Sequence, residues 1–148
     1  MTRIEKSIEI KAPPEKVWEM LALDRCPEWM DDLKSSEYIT EVHTPEDRYK
    51  VGTSAHWKKV KKEEHDMEIM ESLENEKIVF RTSPIQGVIM TGTFTLKPTE
   101  AGTEMAYIVD YEMPWSIFGK ILDKLLVRRT LEKDIEGESK KLKSILEK

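Results

Sequence analysis

From Pro114 to Lys148 the sequence keeps a single helical period. Phe118, Ile121, Leu122, Leu125, Leu126, Leu131, Ile135, Leu142, Ile145 and Leu146 recur mostly at spacings of three and four, with Lys, Arg and Glu between them and Gly137 as the one weak interior point. An apolar stripe of that length must be buried against something. The segments before it read as strands and short helices, so the only large partner available is the apolar face of a sheet.

That face is visible upstream. Ile4, Ile8 and Ile10 alternate with Arg3, Glu5 and Glu9, the period of a half-buried strand. Further strands are expected near 36–43, 51–59, 64–72, 77–83, 88–97 and 103–112, separated by TPED, a Lys/Glu-rich tip, ENEK, SPIQG and TEAG. Connections this short join antiparallel neighbours, because a parallel crossover takes about a dozen residues or more. The clearest alternations set Met90, Gly92, Phe94 and Leu96 against Thr91, Thr93 and Thr95, and Met105, Tyr107, Val109 and Tyr111 against Glu104, Ala106, Ile108 and Asp110. After the first strand, APPEKVWEML turns the chain into a helix. Proline lacks the amide hydrogen a ladder needs, yet it fits the first helical turn, where that hydrogen would be unpaired anyway. Val17, Met20 and Leu21 give this helix its apolar face, and a second short helix is expected across CPEWMDDL.

Composition narrows the function classes. At 148 residues the chain reads as one domain, 1–148, long enough for a real core. Its net charge of -5 argues against a nucleic-acid or anionic-membrane binder. Cys26 is the single cysteine and has no intrachain partner, no apolar run is long enough to span a bilayer, and MTRIEKSIEI is charged throughout; the expected location is the cytoplasm.

The order of strand, two short helices, six antiparallel strands and a long helix, together with IEIKAPPEKVWEMLALDRCPEWM, VGTSAHW and TGTFTLKPTEAGTEMAYIVDYEMP, resembles the START/SRPBCC superfamily. Within it the chain is most similar to the polyketide cyclase/dehydrase and coenzyme Q-binding-like branch, over essentially its whole length. The resemblance implies an α+β helix-grip fold of the START/birch-pollen-allergen type: a curved antiparallel sheet of about seven strands around the last helix, with a cavity between them. It implies a hydrophobic or aromatic small-molecule ligand such as a lipid, isoprenoid quinone or polyketide, no cofactor, and a monomer or homodimer. These motifs encode packing and turns rather than chemistry, so they specify fold better than function.

The expected cavity wall takes Trp57, Met67, Ile69, Phe80, Met90, Phe94, Tyr107, Val109 and Tyr111 from the sheet, and Trp115, Phe118, Leu122, Leu125 and Leu126 from the helix. Ordinary core packing would show the same periods. The resemblance places an entrance loop at SPIQG, with Pro84, Ile85 and Gly87 as its gate. Arg81 and Arg129, with Arg128 beside the latter, are candidate anchors for a ligand carboxylate, against the alternative of surface ion pairs. Tyr107 and Tyr111 put two hydroxyls on one face and, with His65, are the candidates for proton transfer.

His56 and His65 bracket the KKVKKEE tip. A loop of two or four residues sets them directly opposite each other; three or five puts Trp57 opposite His65 and turns His56 to the other face. No metal site is expected, because carboxylates adjacent in a strand point away from the histidines. Cys26 reads as a small core residue, and no phosphate loop, HExxH or GxSxG is present. Three functions remain in view: a ligand carrier, a cyclase/dehydrase-type enzyme, and a surface interaction module. An enzyme needs a titratable group within reach of the reacting atom, a carrier does not, and an interaction module needs an exposed apolar patch.

Overall fold

The computed structural model describes residues 2–112 and 121–148, with the backbone alone at 121–124. Its elements are β1 (Thr2–Ile10), α1 (Pro14–Met20), a 3-10 helix (Leu23–Glu28), β2 (Leu33–Tyr38), a second 3-10 helix (Pro45–Tyr49), β3 (Ser54–Lys59), β4 (Glu64–Leu73), β5 (Lys77–Thr82), β6 (Met90–Pro98), β7 (Thr103–Tyr111) and α2 (Ile121–Leu146). The seven strands form one sheet in the order β1-β7-β6-β5-β4-β3-β2. Every pairing is antiparallel. β2 to β7 form a meander, and β1 closes onto its far side, with Ile4 opposite Val109 and Ile10 opposite Thr103. With α2 against the inner face, this is the helix-grip architecture.

The prolines act as expected. Pro13 is the N-cap of α1 and Pro14 its first residue, and Val17, Trp18 and Met20 turn inward. The second helix differs: in place of a helix over CPEWMDDL the chain makes a 3-10 helix over Leu23–Glu28, with Pro27 inside it and so one backbone donor fewer. Trp29 follows, fully buried, its indole N–H donating to the Met20 carbonyl at 2.8 Å and its ring edge-on to Phe94. The second strand runs over Leu33–Tyr38 instead of 36–43. TPED caps a 3-10 helix: Thr44 and Asp47 exchange side-chain-to-backbone hydrogen bonds in a capping box.

α2 is held to the sheet mainly by burial. Ile135 and Leu142 are buried in it, and Leu131 and Val127 pack against the same core. At its C-terminal end Lys143 Nζ donates to the Glu9 carbonyl at 2.7 Å and the Lys11 amide donates to Glu147 at 2.8 Å, fixing the helix alongside β1. Leu125 and Leu126, expected on the cavity wall, are instead 52% and 61% exposed. At 3.6 residues per turn they fall about 120° and 140° around the helix from Leu131, off the stripe that faces the sheet.

Candidate functional site

The inner face of the sheet and α2 enclose a hollow of about 120 Å³. Of the expected wall residues, Trp57, Met67, Phe80, Met90, Phe94, Tyr107 and Val109 line it. Ile69 and Tyr111 are buried in the core but do not stand on the described wall. Trp115 and Phe118 lie outside the described residues, as does the side chain of Leu122. The helix contributes Leu131, Ile135, Asp134 and Glu138 instead, and Cys26, Met30, Asp32 and Leu33 complete one side. Gly92 is central to the geometry. It sits inward on β6 between Met90 and Phe94, opposite Phe80 and Val109, and a Cβ built on it would have nothing within 4 Å. A missing side chain at an inward strand position leaves open the space it would fill.

The β3–β4 hairpin decides which histidine faces the pocket. The Lys59 amide donates to the Glu63 carbonyl at 2.8 Å, which closes a three-residue loop in which Lys62 takes φ 66. With that odd loop, Trp57 stands opposite His65 and His56 opposite Asp66. His65 is 6% exposed and edge-on to Trp57. Neither its Nδ1 nor the Trp57 Nε1 has a hydrogen-bond partner among the described residues. Burial, with the charge of Lys59 behind it, lowers the pKa of His65 and favours the neutral ring.

His56 lies on the outer face, its Nδ1 2.7 Å from Asp66 and its Nε2 2.8 Å from Glu64. Hydrogen bonds to Glu64 and Asp66 raise its pKa. The stabilising contribution of this ion triad is therefore complete below the unfolded value of about 6.5 and is lost as pH rises through the raised folded value. The melting temperature of the wild type relative to His56→Gln is expected to be highest in mild acid and to converge on the variant's as pH rises above that window. A constant difference would contradict the assignment. No group of three or more metal-ligating side chains suited to an ion occurs among the described residues.

The strongest chemistry in the pocket pairs Tyr107, expected from strand alternation, with Glu138, which alternation and motif do not single out. Tyr107 donates its hydroxyl to Glu138 Oε1 at 3.0 Å. Burial first, and then repulsion from Asp32 and Asp134, push the Glu138 carboxyl up to about 8, against the opposing effect of the Tyr107 hydrogen bond and Lys59. Glu138 is thus mostly protonated at neutral pH. A signal for it was present in the sequence: Leu131, Ile135, Glu138 and Leu142 follow one another at spacings of four, three and four, which places a carboxyl in the middle of the buried stripe.

A sequence model of the family described as polyketide cyclase / dehydrase and lipid transport matches residues 1–147. The chain belongs to that family. No curated protein matches it. Solved structures share its overall fold at low identity. A protein from Thermus thermophilus aligns at TM-score 0.74 and 22% identity, covering 97% of this chain and 95% of its own. One from Mesorhizobium loti aligns at TM-score 0.74 and 18% identity, over 98% and 96%. The Aha1 dimer from Colwellia psychrerythraea aligns at TM-score 0.68 and 18% identity, over 99% and 97%.

In this family member the SPIQG segment is a miniature hairpin. Ile85 and Val88 exchange backbone hydrogen bonds of 2.8 and 2.9 Å around Gln86 (φ 51) and Gly87 (φ 83), a two-residue turn with both central residues left-handed. Ile85 reaches the pocket, whereas Pro84 and Gly87 are exposed. The arginines are placed elsewhere. Arg81 follows the inward Phe80 and so takes the outer face of β5, where it lies 3.9 Å from Glu68; Arg128 donates to Glu132 at 3.0 Å; Arg129 is exposed. No helix among the described residues is long and apolar enough to cross a membrane.

Proposed function

We propose that the protein binds a small hydrophobic or aromatic molecule carrying at least one polar group, in the hollow between the sheet and α2. The observation that carries this reading is the open position at Gly92, an inward site bare of side chain in an otherwise well-filled sheet face. Apolar burial against Phe80, Met90 and Phe94 supplies most of the affinity, and the polar groups on one side orient the ligand. A hollow of about 120 Å³ is smaller than the roughly 300–1,000 Å³ of drug-sized pockets, which fits one ring or the end of a longer chain.

Gly92→Leu tests this directly. The new side chain enters open space, so the variant is expected to melt within a few degrees of the wild type, while a neutral one-ring probe, 2-phenylethanol, loses at least about tenfold in affinity by NMR titration. Equal binding by the variant would place the ligand elsewhere.

A second reading, an enzyme of the cyclase/dehydrase type, is favoured by the Tyr107–Glu138 pair. A carboxyl with a pKa of about 8, hydrogen-bonded to a phenol inside a pocket, is poised to give or take a proton near neutral pH. In that reading Glu138 is the acid or base, hydrogen-bonded to Tyr107 and with His65 elsewhere on the same wall, and Tyr111 drops out because it is off the described wall.

A further inference from the structure

The polar side of the pocket is short of positive charge. Asp32, Asp134 and Glu138 all line it, and the one Lys or Arg on the described wall is Lys59, already 3.4 Å from Asp32. His65, buried on the same wall, offers an Nδ1 without a hydrogen-bond partner among the described residues. Held neutral, the ring keeps one unprotonated nitrogen as an acceptor for an N–H carried in by a ligand, and the Glu63 carboxylate lies 3.9 Å from Nδ1. A ligand carboxylate would meet like charge there, from Glu138 on the inner wall and from Asp32 and Asp134 toward the solvent-exposed rim. A cation would relieve the repulsion among the three acids.

Resting on the pocket reading above, we propose that the ligand is an apolar or aromatic molecule bearing a primary amine, with its ammonium paired to Glu138. The charged and titratable groups lining the pocket with that carboxyl come from every side: Tyr107 on β7, Asp134 on its own helix, the Cys26 thiol on the first 3-10 helix, Asp32 ahead of β2, Lys59 at the end of β3 and His65 on β4. Tyr107 already donates to Oε1, so the carboxyl is held in place as a receptor for a second donor. An ammonium ion pairs with the ionised carboxyl, whereas the empty pocket at neutral pH holds it mostly protonated. Binding the amine therefore expels that proton to solvent, and affinity rises with pH until the carboxyl is ionised, near its value of about 8.

The experiment is calorimetric titration of the full chain with three one-ring probes: 2-phenylethylamine, 3-phenylpropanoate and 2-phenylethanol. Two buffers of different ionisation heat count the protons released. The amine is expected to bind at least about tenfold tighter than the other two and to release about one proton near neutral pH. Glu138→Gln keeps an acceptor for Tyr107 and is expected to abolish the amine preference, so that amine and alcohol bind this variant with equal affinity. The pH dependence of amine binding by the wild type gives the same information without a variant. A carboxylate that binds as well as the amine, or a glutamine variant that keeps the amine preference, overturns the assignment. If the alcohol binds, is blocked by Gly92→Leu and is matched by the amine, the amine assignment fails and the pocket reading stands. Binding by none of the probes, or binding indifferent to Gly92→Leu, overturns both.

Discussion

Glu138→Gln is expected to flatten a fall in stability that the wild-type protein undergoes as pH rises from about 4.5 to about 8. The sign is the reverse of the usual carboxylate. An unfolded glutamate releases its proton near the lower value and the folded one near the upper, so across the window the folded state binds more protons, and stability drops as pH rises. The full effect is on the order of a few kcal/mol, since a tenfold difference in proton affinity between the two states is worth about 1.4 kcal/mol. Glutamine still accepts from Tyr107 but does not titrate. Denaturant unfolding at intervals across the window should show the wild type losing stability faster than the variant. His56 and His65 titrate alike in both proteins and cancel in the comparison. Parallel curves would mean that Glu138 is solvated in the folded protein and would contradict its raised pKa.

Gly102→Ala is expected to cost about 3–5 kcal/mol, the combined scale of a forbidden backbone conformation and an overpacked contact. Gly102 ends the turn between β6 and β7 with φ +155, and a Cβ there would lie 2.3 Å from the Ile10 carbonyl oxygen and 2.7 Å from the Ala12 amide nitrogen. Both obstacles are backbone. They are fixed by the pairing of Ile10 with Thr103 and by the Thr103 hydroxyl donating to the Ala12 carbonyl at 2.7 Å, so no side-chain rotation relieves the clash. The urea midpoint of the variant measures it, and a loss below about 1 kcal/mol would contradict the placement of β1 against this turn.

The sheet and the final helix were legible because each repeats a simple period over many residues. Inward Phe94, Leu96, Met105, Tyr107, Val109 and Tyr111 follow directly from alternation, and all are buried. The pocket was legible only in part. Trp57 and His65 depended on the length of a loop, Val60 to Lys62, whose left-handed residue is a lysine where glycine or asparagine would have announced the turn. Arg81 neighbours the inward Phe80, and alternation alone sends it outward. Leu125 and Leu126 illustrate how an apolar list fails without angles: both are leucines, yet neither lies on the stripe of Leu131, Ile135 and Leu142. Glu138 was hidden by the opposite habit, since a carboxylate among Lys and Glu reads as solvated even when its spacing puts it in the stripe. Nothing in the sequence reports its neighbours Asp32 and Tyr107, which are brought beside it by the fold.

Everything proposed for this protein depends on the hollow beside Gly92 holding a small apolar ligand. Native mass spectrometry of the protein purified without detergent, wild type beside Gly92→Leu, puts that to the test in one step. A one-to-one small-molecule adduct is expected on the wild type, released on denaturation and missing from the variant. The same adduct on both proteins, or a bare chain mass for both, would contradict the pocket reading.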